Sequence, residues 1–184
     1  MPDQEYTYEL KISKDRIAVL IGTKGETKKD IEKATGCSIN VDSKEGDVII
    51  SGKDAVMLFA LREVIKAIAR GFNPDIAKQL LKQDNLLEVI SLNDYSREKN
   101  HQQRLKGRVI GMDGKARNTI EDLTECYISV YGKTISIIGK IEMVSICKRA
   151  IETLLAGSPH SNVYKWLERQ RRLMRKKAFD PEGF

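Results

Sequence analysis

Two four-residue segments, Gly22-Thr23-Lys24-Gly25 and Gly111-Met112-Asp113-Gly114, have the composition of a phosphate seat. Each follows an apolar pair, Leu20-Ile21 or Val109-Ile110, and each precedes an amphipathic helical pattern. Glycine accepts positive φ and lets another backbone approach closely. The start of the following helix offers unpaired N–H groups and a partial positive charge. Together these features hold a phosphate group, and two of them in one chain imply a polyanion longer than a nucleotide.

The two seats differ in charge. In the first, Thr23 offers a hydrogen bond and Lys24 a charge, with Lys28 and Lys29 one turn further on. In the second, Met112 is apolar and Asp113 is negative where a phosphate would sit. At ~5 Å two like unit charges repel by about 0.8 kcal/mol in water and roughly 3 kcal/mol at an effective dielectric of 20. Arg108, Lys115 and Arg117 are the nearby cations that offset this. Both seats are expected to bind, the second from its Lys115/Arg117 side. Ile21, Ile39 and Val41 are expected to floor the first groove, and Ile128 the second.

The elements that position these loops repeat. A shift of 89 positions maps Gly22 onto Gly111, Gly25 onto Gly114, Ile31 onto Ile120, Glu32 onto Glu121, Thr35 onto Thr124, Cys37 onto Cys126 and Ile39 onto Ile128. The second copy then runs two residues shorter, so that Gly52 pairs with Gly139. A match of this length argues for two homologous domains. Each copy reads β-α-α-β-β-α. In the first, the strand is Tyr6 to Ile12, and a short helix capped by Ser13 runs from Lys14 to Ile21. After the loop comes a helix from Glu26 to Thr35, ended by Gly36, then a hairpin of Cys37 to Val41 and Asp47 to Ser51. A helix from Asp54 to Arg70 closes the unit, with Val56, Phe59, Ala60, Val64, Ala67 and Ile68 at helical spacing.

The second copy opens with Leu87 to Leu92 and carries a longer polar segment, Asn93 to Gln103, before its loop. The hairpin is Tyr127 to Tyr131 and Thr134 to Ile138, and the last helix is Ile141 to Leu155. Between the copies, Asn73-Pro74 signals a short helix rather than a flexible tether, so the units are expected to pack together. A basic helix from Ser161 to Lys177 ends the chain, with fraying expected after Ala178. The expected domains are residues 1–71, a helical linker 72–85, residues 86–157, and a basic helix and tail 158–184.

The 184 residues carry 32 Lys and Arg against 26 Asp and Glu, for a formal +6, which suits a nucleic-acid partner. No apolar run approaches the roughly 20 residues of a membrane span, and Met1-Pro2-Asp3-Gln4-Glu5 does not read as a signal peptide. Cys37, Cys126 and Cys147 form no CxxC pair and lie far from His101 and His160, so reduced buried thiols, no metal and a cytoplasmic setting are expected.

Ile-Gly-x-x-Gly between helices and before a β-hairpin resembles the KH domain of RNA-binding proteins, and here it occurs twice. The fold expected is α+β: two tandem type I KH domains, each a three-stranded antiparallel sheet covered by helices on one face. Gly71-Phe72-Asn73-Pro74 with Leu80-Leu81, the run Tyr127 to Thr134, and Gly157-Ser158-Pro159-His160-Ser161-Asn162-Val163-Tyr164 resemble something narrower. They are similar to the archaeal partner-of-Nob proteins, KH proteins that help mature small-subunit ribosomal RNA. That resemblance implies binding to the 3′ end region of small-subunit rRNA. It also implies association with the endonuclease that trims that end and with the alpha subunit of translation initiation factor two. No cofactor is implied. The family's eukaryotic members have a degenerate first glycine loop, whereas Gly22 and Gly25 are both present here.

Rival readings fare less well. Carboxylates are scattered and no GxxxxGK[ST] motif is present, which disfavours an enzyme. Aromatic residues are only 6% with no RNP-like strand, which disfavours an RRM. A protein-interaction scaffold with one RNA-binding KH domain is the alternative, supported by the apolar stripe of the terminal helix.

Overall fold

The computed structural model describes residues 5–179. The chain divides into two compact units, Met1–Leu87 and Glu88–Phe184. The first unit runs β1 Tyr6–Lys11, α1 Lys14–Ile21, a 3₁₀ turn Thr23–Gly25, α2 Glu26–Thr35, β2 Ser38–Asp42, β3 Asp47–Gly52 and α3 Ala55–Ala69. Then come α4 Pro74–Ala77 and a 3₁₀ turn Lys78–Leu81. The second runs β4 Asn85–Ser91, α5 Lys99–Ile110, a 3₁₀ turn Met112–Gly114, α6 Lys115–Thr124, β5 Tyr127–Tyr131, β6 Thr134–Lys140, α7 Ile141–Leu155 and α8 His160–Phe179.

Each unit holds a three-stranded antiparallel sheet whose third strand lies in the middle, in the orders β1-β3-β2 and β4-β6-β5. Alternation along β3 explains the layer. Val48, Ile50 and Gly52 point to the helices and are buried, whereas Ile49 is 42% exposed on the opposite face. Leu20, Ile31, Leu61, Val64 and Ile68 close the first core from the helix side.

Repeated residues do repeated jobs. Thr35 and Thr124 donate their hydroxyls back to the carbonyls of Ile31 and Ile120, four residues earlier. A Cβ on Gly52 or Gly139 would come within 2.7 Å of the sulfur of Cys37 or Cys126, so each cysteine requires its glycine. All three cysteines are free and buried. Burial is the main cause pushing the Cys37 thiol up.

Two features of the helices differ from the sequence reading. Val56 and Phe59 of α3 are 68% and 51% exposed, and Leu58, Leu61 and Ile65 are buried instead. The segment is apolar nearly all round, so periodicity alone selects no face. Arg62 lies over the Tyr8 and Phe59 rings, 5.4 and 5.8 Å from their centroids. The segment 93–103 is partly helical, because α5 starts at Lys99. Buried Gln102 donates to the Asn93 side chain at 3.0 Å and to the Ser96 carbonyl at 2.7 Å, stapling the extra turn. α8 runs from His160 to Phe179, so the fraying expected after Ala178 falls almost wholly outside the described residues.

Helix α2 ends on Gly36 at φ 67°, ψ 12°, whereas α6 ends on Glu125 at φ 55°, ψ 27°. The left-handed region costs an L-residue roughly 1–2 kcal/mol, and glycine is the usual occupant of this cap. Glu125→Gly is therefore expected to stabilise the second unit by about 1 kcal/mol, read as a higher urea midpoint; a lower midpoint would show the strain to be absent.

Candidate nucleic-acid interface

The two glycine loops have the same backbone. Gly22 sits at φ 70°, ψ −178° and Gly111 at φ 73°, ψ 177°. Lys24 and Asp113 both lie at φ 53°, with ψ 23° and 28°. Gly25 and Gly114 follow at φ 79° and 76°. The glycines of each pair have different roles. A Cβ on Gly22 would strike the Thr27 side chain, and one on Gly111 would lie 2.6 Å from the Ala116 Cβ and 2.7 Å from its backbone nitrogen. The first glycine therefore lets the loop fold onto the next helix. A Cβ on Gly25 would meet nothing within 4 Å, and on Gly114 only the Asn118 amide oxygen at 3.9 Å. The second glycine keeps the outer side of the loop bare.

Thr23, Lys24, Met112 and Asp113 are exposed, and Met112 is 76% so. Lysine pays for its left-handed backbone at position 24, whereas aspartate tolerates that region better. Strain held at an exposed cationic position points to a role outside the fold.

The helix after each loop is tied to the open edge of β2 or β5. Glu32 accepts the Ile39 N–H at 2.8 Å, and Glu121 accepts the Ile128 N–H at 2.7 Å. Those N–H groups therefore point away from the central strand. Alternation sends the carbonyls of Ile39 and Ile128, and the backbone N–H groups of Val41 and Val130, to the same edge. The side chains of Ile39 and Ile128 are only 1% and 5% exposed. They support the strand from within the core rather than floor a groove, and these residues present only main-chain groups at the open edge. Ile21 and Val41 are partly exposed.

The cations divide. Lys29 and Lys115 are exposed, and Lys28 is partly buried, 3.9 Å from the Glu32 carboxylate. Arg117 lies 3.8 Å from Glu121. Arg108 has a different job from the one its sequence position predicts. Its guanidinium donates to the carbonyls of Leu154 at 2.9 Å and Ser158 at 2.6 Å, capping the end of α7. In the first unit Arg16 donates likewise to Ile68 at 2.7 Å and Phe72 at 2.6 Å. Sequence reasoning missed Arg16, which no spacing rule marks. His160 donates its Nε2–H to the Arg108 carbonyl at 2.7 Å. Asp113 thus keeps Lys115 as its uncommitted neighbour in sequence. Among the described residues no cluster of three His, Cys, Asp or Glu could hold a metal.

Burial pushes the Glu121 carboxyl above its ordinary range, against the lowering effects of the Ile128 N–H and Arg117. A raised carboxyl favours the native state below its unfolded value and loses that advantage as pH rises through the folded value. Glu121→Gln keeps the acceptor for Ile128 and removes the charge. The variant is expected to melt slightly higher than the parent at pH 7 but not at pH 4, by thermal unfolding at both. Equal shifts at the two pH values would exclude the charge as the cause.

An antiparallel sheet order β1-β3-β2, helices on one face and a Gly-x-x-Gly turn between the first two helices define a type I KH domain, present here twice. Residues 7–69 match the KH domain model, and residues 86–172 match the eukaryotic-type KH domain (KH-domain type I). The chain belongs to the family of tandem KH proteins that includes archaeal Dim2p and PNO1. It is 47% identical to the KH domain-containing protein MJ0443 of Methanocaldococcus jannaschii over 93% of this chain and 77% of that one. It is 35% identical to the RNA-binding protein PNO1 of Oryzias latipes over 61% of this chain, spanning 47% of that protein. Dim2p of Pyrococcus horikoshii, solved in an a/eIF2alpha–Dim2p–rRNA complex, superposes with a TM-score of 0.86 at 44% identity, covering 91% of this chain and 95% of that one. A protein of unknown function from Aeropyrum pernix superposes at 0.90 and 38% identity, covering 95% of each chain. No helix among the described residues is long and apolar enough to cross a membrane.

Proposed function

We propose that this chain binds single-stranded RNA at the 3′ end region of small-subunit rRNA and acts in small-subunit maturation. One observation carries the reading: two loops of matching backbone angles, each bare on its outer side, at the start of a helix that Glu32 or Glu121 ties to an open strand edge. A KH groove of this kind clamps about four nucleotides by their backbone. Gly22, Thr23, Lys24, Gly25, Lys28 and Lys29 serve the first groove, and Gly111, Met112, Asp113, Gly114, Lys115 and Arg117 the second. Residues 1–71 and 86–157 are the two binding domains, joined by the linker 72–85. Support comes from Pyrococcus Dim2p, whose solved complex contains rRNA and a/eIF2alpha, and from the Aspergillus fumigatus relative, a pre-rRNA-processing protein.

On this reading the chain is a cytoplasmic binder rather than an enzyme. It meets the initiation factor's alpha subunit and the endonuclease that trims the rRNA. A second reading, a scaffold with one working RNA groove, is favoured by the commitment of Arg108 to α7 and of Arg117 to Glu121, which leaves Asp113 poorly offset. Incubation with a labelled 3′-terminal rRNA oligonucleotide is expected to give retention without cleavage. Absence of binding even at low salt would sink the proposal, and cleavage products would make the chain an enzyme.

A further inference from the structure

The whole excess charge of the chain sits on one helix. α8 carries seven basic residues and a single carboxylate, Glu168, so it is formally +6, which is also the net charge of the full chain. The remaining residues balance, 25 basic against 25 acidic, from the chain totals of 32 and 26 less the seven and the one on α8. The charge is also ordered in space. Val163 and Leu167 are buried and Gln170 and Met174 partly so, marking the side that packs on α6 and α7. At about 100° per residue, the exposed Lys165, Arg169, Arg172, Arg175 and Lys176 fall within an arc of roughly 120° centred opposite that side, with Glu168 as the one carboxylate in it.

A solvated helix face ordinarily mixes signs. Here no carboxylate occurs between Glu168 and Asp180, and like charges three and four residues apart repel. Such a face is stabilised by an external polyanion. The two aromatic rings of this helix that lie near its start are occupied elsewhere: Tyr164 meets the Thr119 hydroxyl and Trp166 is covered by Arg149, 5.3 Å from the ring. The arc therefore offers charge but no aromatic platform for unpaired bases.

We infer that the outer face of α8 is a second RNA contact, which grips the phosphates of a helical RNA stem next to the single-stranded segment. A straight row of cations about 16 Å long suits phosphates already fixed in space, since a flexible strand would lose freedom to follow it. Two contacts in the second unit place the row. His160 bonds the last turn of α5 beside the glycine loop, and Tyr164 meets Thr119 in α6, so α8 starts near the loop and follows α6. The inference rests on the RNA-binding reading above.

The test compares the bare 3′-terminal oligonucleotide with the same segment extended by a hairpin stem, using the full chain. The wild type is expected to bind the stem-bearing RNA at least tenfold more tightly, with a steeper salt dependence. Changing Lys165, Arg169, Arg172, Arg175 and Lys176 together to Gln should erase that gain and reduce the slope of log K against log salt by about 3 to 4. Affinity for the bare oligonucleotide should stay within about twofold, and the melting temperature should confirm folding. A variant that keeps the gain, or loses equally on both RNAs, overturns the inference. A wild type that binds the stem but ignores the bare strand overturns the groove reading instead and leaves the helix contact standing.

Discussion

Replacing Thr23 and Lys24 together by aspartate is expected to weaken binding to a single-stranded RNA by roughly 30- to 150-fold. The double change alters the charge of an exposed loop by three units at the position where a phosphate would rest. Each unit of repulsion at ~5 Å is worth about 0.8 to 3 kcal/mol between the limits of water and an effective dielectric of 20. Screening at the surface places the expected total near 2–3 kcal/mol. The fold should be untouched, because the second loop already carries Asp113 at φ 53°, the angle held by Lys24. Fluorescence anisotropy at fixed salt reads the affinity, and a melting temperature within about 2 °C of the parent certifies the fold. Unchanged affinity would remove the first loop from the interface. The reciprocal change, Asp113→Lys, is expected to tighten binding several-fold if the second groove is occupied and to do nothing if it is not.

Gly111→Ala should unfold the second unit or weaken it by about 3–5 kcal/mol, while Gly114→Ala costs about 1 kcal/mol. The first substitution places a methyl 2.6 Å from the Ala116 Cβ and 2.7 Å from its backbone nitrogen. It also forces a side chain into a φ/ψ region that is essentially reserved for glycine, worth roughly 1–3 kcal/mol, with overpacking adding about 1–3. At Gly114 the new methyl meets only the Asn118 amide oxygen at 3.9 Å, so the left-handed backbone supplies most of the cost. Urea unfolding distinguishes the two, and similar losses at both positions would contradict the division of labour between them. A substitution at the first glycine therefore reports on folding before it reports on RNA, and the exposed middle residues are the cleaner probes.

The glycine loops, their flanking helices and the hairpins were legible because each is specified locally: positive φ by glycine, helix faces by period, turns by polar runs. The duplication added a test that composition could not pass by chance. Side-chain destinations were less accessible. Ile39 and Ile128 look like a ligand-facing floor on a strand edge, yet the 3.6- and 2-residue periods say which face a residue takes, not how deeply the helices bury it. Arg108 looks like a loop cation because it is three residues from Gly111, but its acceptors, the carbonyls of Leu154 and Ser158, are distant in sequence. On α3, Val56 and Phe59 are indistinguishable by type from Leu58 and Leu61, and only tertiary packing separates them.

The arginine clasps repeat between the units without repeating in sequence. Under the shift that aligns the glycine loops, Arg16 corresponds to Leu105 and Arg108 to Val19. The donors therefore stand one turn apart on their helices, yet both reach the closing turn of the unit's sixth element, α3 or α7, and the residue after a positive-φ glycine, Gly71 or Gly157. Each is followed by a further helix, α4 or α8. In both units an arginine of the first helix therefore clamps the same closing turn from a different turn of its own helix, so the acceptors repeat where the donor's position does not.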